Sequence, residues 1–116
     1  MKESITPALR DRVIDATAEL ELANGKTLAG SLEYFPNGHT LVVLDEDGLE
    51  PTQLTVTAAD APVEHAALAA DEVLLRNWTE TRGVPASLAK QGIVELTGTE
   101  VKVGPFRLQA FVARVL

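Results

Sequence analysis

The chain has 116 residues, of which 46% are hydrophobic and none is cysteine, and its formal net charge is −7. This length and apolar content fit one domain with a buried core over residues 1–116, and the lack of cysteine excludes a disulfide framework or a thiolate metal site. An acidic balance of this size opposes binding to nucleic acid and to anionic lipid.

The chain starts with a polar stretch, residues 1–12, for which we expect a loose N-terminal lead-in. This stretch lacks the apolar core of a secretory signal, and the longest apolar runs, such as Leu41–Leu44, are too short to cross a bilayer. The sequence therefore predicts a cytoplasmic protein that makes no membrane contact.

Three turn dipeptides divide the first half of the chain: Asn24-Gly25, Asn37-Gly38 and Asp47-Gly48. Asn-Gly and Asp-Gly tolerate positive φ at both central residues, which is what a type I′ hairpin turn requires. Each dipeptide lies between segments that alternate apolar and polar residues or run continuously apolar. The pattern predicts an antiparallel meander of strands.

Four strands are expected around these turns. Strict alternation over residues 14–22 predicts the first, although Ala, Glu and Leu also favour a helix there. Lys26–Phe35 predicts the second, and the apolar Thr40–Leu44 predicts a central third strand that is covered on both sides. The alternation over Leu54–Ala58 predicts a fourth strand with its threonines in solvent.

One short helix is expected in the second half, and a second is one of two alternatives. Residues 60–69 are consistent with a helix in which Asp60 caps the N-terminus and Pro62 lies in the first turn, or with a mobile connection. Pro85–Gln91 predicts a helix, because proline begins it and Gly92 follows its end.

The remaining strands are short and apolar. They are expected over Glu72–Thr79, Ile93–Leu96, Val101–Val103 and Phe106–Val115, with a chain reversal at Thr97-Gly98. The last carries apolar residues on both faces, which predicts an interior position. The fold class is therefore α+β and mainly β, with about seven to eight short strands in a curved sheet or a partly open barrel.

The charges are unevenly distributed along the chain. Residues 13–75 carry twelve acidic side chains and one basic one, Lys26, whereas the bases prevail in residues 76–116. These acids either keep the hairpin surface solvated and pair with the bases, or they form a docking face for a basic partner or a second copy. The expected acidic docking face consists of Glu19, Glu21, Glu33, Asp45 and Asp47.

No motif for catalysis, metal or nucleotide binding is present. The run Asp45–Gly48 lacks the glycine and glutamate positions of a calcium loop, and His39 and His65 are not at a ligand spacing. No serine lies in a nucleophile elbow, and the glycine-rich phosphate loops are absent. We therefore expect a protein without metal or cofactor that is not an enzyme.

One group of residues is suited to ligand binding, at a strand end that leads into a helix. It comprises Arg76, Trp78, Glu80, Arg82 and Lys90. Arginine and backbone N–H groups at such a junction bind anions, and tryptophan offers a stacking surface. The alternative is that Trp78 fills the core between helix and sheet while the arginines form ion pairs with acidic residues of the hairpins.

The stretch Val73–Glu80, followed by Gly83-Val84 and Leu88–Gly98, resembles small uncharacterised bacterial proteins. In these proteins a strand leads to an acidic or amide cluster, a short helix, a Gly-Ile-Val and a Thr-Gly segment, and a terminal strand. The resemblance implies a small bacterial α+β domain and assigns no catalytic residue to this chain.

Three functions follow from these patterns. The first is a non-enzymatic protein-interaction module that uses the acidic surface, with a basic protein or a second copy as partner. The second is a binder of a small anion at the Arg76–Arg82 junction. The third is an enzyme with Glu80 or His39 as acid or base, which would need a partner group within hydrogen-bond reach.

Overall fold

The computed structural model describes residues 11–44, 51–78 and 81–116. They form seven strands and two α-helices. In chain order these are β1 (Arg12–Glu21), β2 (Thr27–Phe35), β3 (Thr40–Leu44), β4 (Pro51–Gln53), α1 (Pro62–Ala66), β5 (Glu72–Arg76), α2 (Val84–Lys90), β6 (Val94–Val103) and β7 (Leu108–Val115). The predicted lead-in up to residue 10 and the Asp47-Gly48 turn lie outside the described residues.

The strands form two antiparallel sheets, which confirms the mainly β fold class. The first sheet has the order β1-β2-β3-β4 and is the predicted meander, whereas the second has the order β5-β7-β6. The interior position expected for the last strand is therefore confirmed. The sheets are not closed into a barrel, and α2 packs against β1, β5 and β6.

The first hairpin settles the choice between strand and helix for residues 14–22, because β1 pairs with β2 along its length. Its turn differs from the predicted type I′. Gly25 has a φ of 87°, but the φ of Asn24 is not positive, whereas a type I′ turn requires positive φ at both residues. The Leu22 N–H donates to the Lys26 carbonyl over 2.8 Å, so residues 23–25 form a three-residue loop, which places only its last residue at positive φ.

The second hairpin also turns where predicted and also differs in type. Pro36–Gly38 form one 3₁₀ turn, and the left-handed residue is His39, with φ 51° and ψ 48°, rather than glycine. The His39 N–H donates to the Pro36 carbonyl over 3.0 Å. Proline at the first position favours this turn because it fixes φ near the helical value.

The segment that follows β4 connects the two sheets. The Leu54 N–H donates to the Leu41 carbonyl of the first sheet over 2.9 Å, and the Val56 N–H donates to the Leu74 carbonyl of the second over 2.8 Å. One strand-like segment, residues 51–56, therefore belongs to both sheets in turn. The fourth strand predicted at Leu54–Ala58 lies three residues too late, since β4 ends at Gln53.

Thr55 is buried, so the predicted solvated threonine face is wrong at this position. Its side chain is 1% exposed, and its hydroxyl oxygen accepts the Leu41 N–H over 3.3 Å. The reason is the change of sheet at this point, which covers both faces of the segment. Thr57, two residues further along, is exposed as predicted.

We expect Thr55→Val to lower the free energy of unfolding by about 1–3 kcal/mol, because it leaves the buried Leu41 N–H without an acceptor at nearly constant volume. Urea unfolding measures this change. Thr27→Val, at an exposed position of β2, is the matched control and should change stability by less than about 0.5 kcal/mol. Equal effects of the two substitutions would contradict the role of the hydroxyl.

Both predicted helices are present. The helix α1 is five residues long and has Pro62 in its first turn, but its N-cap is Ala61 and no side chain caps it, so the Asp60 cap is wrong. The Asp60 N–H is instead bonded within the preceding turn, to the Thr57 carbonyl. The helix α2 lies one residue earlier than predicted, and it buries Leu88 as expected.

Two predictions for the second sheet are wrong. The Thr97-Gly98 segment does not reverse the chain but is an irregularity inside β6, between Leu96 and Glu100. The strand continues beyond it because β7 offers pairing partners on both sides. Phe106 lies in the turn before β7 and is 83% exposed, rather than on an inner strand face.

The core has two parts. The larger lies between the first sheet, β5 and α2, and it includes Leu20, Tyr34, Leu75 and Leu88. The smaller lies on the second sheet, where Val103 and Ala110 are buried and Trp78 packs against the cluster. Trp78 is therefore not the residue that fills the space between α2 and the sheet.

Tyr34 is the largest fully buried side chain, and its hydroxyl has no hydrogen-bond partner in the described part of the chain. The Arg12 guanidinium lies over its ring, 5.6 Å from the ring centre. Burial raises the pKa of the Tyr34 hydroxyl; the Asp71 carboxylate raises it further and Arg12 opposes them.

Candidate functional site

Three of the predicted acidic residues share one face of the first sheet. In β1 and β2 the inward side chains include Ala18, Leu20 and Leu32, and the alternate positions point outward. Glu19 pairs with Ala29, Glu21 with Thr27, and Glu33 with Val13 and Val42, and paired residues lie on the same face. We call this outer surface, with Glu19, Glu21 and Glu33, the acidic face. The predicted Asp45 and Asp47 lie outside the described residues.

The three glutamates form no salt bridge with any basic side chain in the described part of the chain. Neither of the two salt bridges among the described residues involves Glu19, Glu21 or Glu33. Glu19 and Glu21 are exposed, and Glu33 is half-buried and accepts a hydrogen bond of 3.4 Å from Ser31. Their carboxylates are therefore not held in ion pairs within this part of the molecule.

The same face also carries apolar side chains. Phe35, Val42 and Leu44 occupy outward positions of β2 and β3 and are half-buried, and none of them belongs to either core cluster. Val13, beside Glu33, is 53% exposed. The acidic face thus combines apolar surface with carboxylates that no described basic side chain pairs with, which is a composition that suits contact with another protein.

A groove of about 370 Å³ borders this face between β1 and α2. Ser87 of α2 accepts the Glu21 N–H over 3.1 Å, and the Gln91 amide donates to the Glu19 carbonyl over 2.7 Å. These bonds hold α2 against the edge of the first sheet. Lys90 lines the groove together with both glutamate side chains.

A smaller cleft of about 240 Å³ continues from this groove toward the start of α2. There the Ala23 N–H donates to the Arg82 carbonyl over 2.8 Å, so the backbone around Gly83 lies directly against the first hairpin. The Arg82 side chain is exposed. The loop before α2 is fixed further by Asn77, whose side-chain oxygen accepts the Gly83 N–H over 2.9 Å.

The structure divides the predicted anion-binding group. Arg76 and Trp78 come together, with the guanidinium 5.0 Å from the centre of the indole ring, and Arg76 also donates to the Gln53 carbonyl over 3.2 Å. Lys90 lies in the groove with the glutamates instead, and Glu80 lies outside the described residues. Arginine over an indole face is a cation–π contact.

Trp78 lines a third cleft, of about 450 Å³, that sequence reasoning missed. We call it the Trp78 cleft; its lining is Val56, Ala59, Asp60, Trp78, Val103, Gly104, Pro105 and Leu108. These residues come from three separate segments that only the sheet pairing brings together. The single available signal was Trp78 itself, as the one tryptophan of the chain.

The two histidines meet in a structural contact. The His39 and His65 rings lie edge to face with centres 5.5 Å apart, and each donates a ring N–H to a backbone carbonyl, that of Glu72 at 2.7 Å and that of Val56 at 2.6 Å. His39 does not line any of the three clefts. No group of three or more histidine, aspartate or glutamate side chains among the described residues is arranged to hold a metal ion.

Comparison of the chain with protein-family models, with curated proteins and with solved structures found no match in any of the three. Within the described residues, neither helix has the length and apolar character needed to cross a membrane.

Proposed function

We propose that the protein is a non-enzymatic interaction module that binds a basic protein partner on its acidic face. The observation that carries this proposal is one sheet face shared by glutamates and apolar side chains. Glu19, Glu21 and Glu33 form no salt bridge within residues 11–44, 51–78 and 81–116, and the apolar side chains beside them belong to neither core. Protein interfaces combine an apolar centre with a polar rim, and complementary charge speeds and orients their formation.

The charge distribution favours a different protein over a second copy as the partner. Two basic side chains of the second sheet already pair with acids of that sheet: Lys102 with Glu100 over 2.8 Å, and Arg114 with Glu95. The hydrogen bond from Lys102, aided by one from Gln109, holds the pKa of Glu100 below its usual value. A head-to-tail contact between copies would therefore gain little attraction from these bases.

The anion-binding alternative receives less support from the geometry. Arg76 is engaged with Trp78 and the Gln53 carbonyl, and Lys90 shares its groove with two carboxylates. An anion approaching Lys90 would meet the repulsion of Glu19 and Glu21. Arg76 and Lys90 thus lie in different surroundings and do not form one anion site.

Neutralising the acidic face should weaken the binding of a basic peptide about tenfold. The probe is a synthetic decapeptide that alternates lysine and valine, and the variant is Glu19→Gln/Glu21→Gln/Glu33→Gln. Three exposed charge pairs of about 0.5 kcal/mol each correspond to this factor. Isothermal titration calorimetry at low salt measures the dissociation constant.

The matched control is Glu64→Gln/Glu95→Gln/Glu100→Gln, which changes the net charge equally but away from the acidic face. It should leave the affinity within about twofold. Equal weakening in both variants would mean that the peptide responds to net charge alone and would refute a specific face. Sedimentation velocity completes the test by measuring the oligomeric state. If the unchanged protein is a dimer and the acidic-face variant is a monomer, the face binds a second copy instead.

A further inference from the structure

The Trp78 cleft is large enough for a small ligand and is built mainly from apolar side chains. Its volume of about 450 Å³ lies within the range of ligand sites in proteins. Val56, Val103, Leu108 and Pro105 supply an apolar wall, and the indole of Trp78 supplies a flat one. The cleft shares no residue with the acidic face, so it is a separate site.

Hydrogen bonds hold the walls of this cleft in place. The Val56 N–H is bonded to the Leu74 carbonyl over 2.8 Å, and the Val56 carbonyl accepts the N–H of the buried His65 ring over 2.6 Å. Asn77, next to Trp78, donates through its side chain to Gln109 over 2.6 Å. A preformed site of this kind loses little conformational entropy when a ligand binds.

The surroundings of Trp78 leave it available to a ligand. The Arg76 guanidinium covers one face of the indole, and the side chain as a whole is only half-buried although it packs against the smaller core. Phe106, which follows the cleft residue Pro105, is 83% exposed and has no place in either core. An exposed aromatic side chain beside an apolar cleft offers additional contact area to a bound molecule.

The charge within the lining of the cleft is negative, and the nearby Arg76 guanidinium lies over the Trp78 ring outside this lining. Asp60 is the one ionisable side chain in its lining, and its carboxylate forms no salt bridge with the described residues. The backbone fixes this residue, because its N–H donates to the Thr57 carbonyl over 3.1 Å. The net charge of −7 also attracts cations from solution.

We infer that the Trp78 cleft binds a small organic cation with a flat apolar body, whose body lies against Trp78 and Leu108 and whose positive group faces Asp60. This ligand class differs from the anion that the arginines of the sequence suggest. The inference rests on the cleft alone and does not depend on the acidic face.

The single tryptophan makes this inference directly measurable. Phenethylamine, 2-phenylethanol and 3-phenylpropionate share a phenyl body and carry a positive, a neutral and a negative group. With selective excitation of Trp78, we expect a saturable fluorescence change on addition of phenethylamine. Its affinity should be about threefold higher than that of 2-phenylethanol, because an exposed ion pair with Asp60 contributes a free energy of this size. Phenylpropionate should bind more weakly than either.

Two variants and one control decide the outcome. Asp60→Asn should abolish the preference for the amine, and Ala59→Phe, which fills the cleft, should remove binding of all three compounds. Glu64→Gln, on α1 but outside the lining, should change nothing; thermal melts confirm that each variant is folded. The absence of saturable binding, a preference for phenylpropionate, or an unaltered preference in Asp60→Asn would each overturn the inference.

Discussion

Gly83→Ala is expected to destabilise the protein by at least about 3 kcal/mol. Gly83 has a φ of 98°, where an L side chain is strained by about 1–2 kcal/mol. The added Cβ would also lie 2.6 Å from the Ala23 backbone nitrogen, a contact that forces the first hairpin away from α2. Chemical denaturation measures the loss, and the hydrogen bond from Ala23 to Arg82 should be lost with it.

Gly25→Ala is the matched control for this prediction. Gly25 has a similar φ of 87°, but a Cβ built there meets nothing within 4 Å. It should therefore show only the backbone strain of about 1–2 kcal/mol. If the two substitutions destabilise the protein equally, the close approach of Gly83 to the hairpin is not a constraint in solution.

Tyr34→Ala should have an effect of similar size, about 3–5 kcal/mol of unfolding free energy. The side chain is fully buried in the larger core, and truncation of a buried aromatic residue removes its apolar contacts and leaves a cavity. Thermal unfolding followed by circular dichroism measures this loss.

Tyr34→Phe separates the ring from the hydroxyl. Because the hydroxyl is buried without a described hydrogen-bond partner, its removal should leave stability unchanged or raise it by about 1 kcal/mol. A loss greater than 1 kcal/mol would show that the hydroxyl is bonded in solution.

The unchanged protein and Tyr34→Phe should also differ in how their free energy of unfolding depends on alkaline pH. The folded protein raises the pKa of Tyr34 above its ordinary value of 10.0, so it holds the hydroxyl proton more tightly than the unfolded chain does. This contribution to stability is complete below pH 10 and is lost as the pH rises through the pKa of the folded protein. Tyr34→Phe should lack this loss, and identical alkaline profiles would contradict the raised pKa.

The local pattern of the chain was sufficient to predict the first three strands of the first sheet, but not the position of the fourth. The alternation in residues 14–22 placed Ala18 and Leu20 on the inner face correctly, and the Asn-Gly pairs placed both described hairpins. The prediction that Thr40–Leu44 is covered on both sides was wrong, because only Leu41 and Val43 are fully buried. The turn types were wrong because one positive-φ residue is enough when the loop has three or four residues. The reversal predicted at Thr97-Gly98 was wrong because a strand with a partner beyond an irregularity continues to pair.

The candidate sites also differ in whether a local sequence pattern is enough to predict them. The grouping of Glu19 and Glu21 follows from alternation, which holds where residues 18–21 pair with residues 27–30. Two register shifts between Val13 and Ala18 interrupt it before Glu33 is reached. The Trp78 cleft depends on long-range pairing that joins residues near 56, 78 and 105, and no local pattern encodes it. The separation of Lys90 from Arg76 is equally non-local, since α2 carries Lys90 to the β1 edge.

The connection through residues 51–56 affects how cooperatively the protein unfolds. Since this segment donates N–H groups to β3 on one side and to β5 on the other, fraying of either sheet removes bonds that order its neighbour. The domain should consequently melt in a single two-state transition, with calorimetric and van't Hoff enthalpies in agreement.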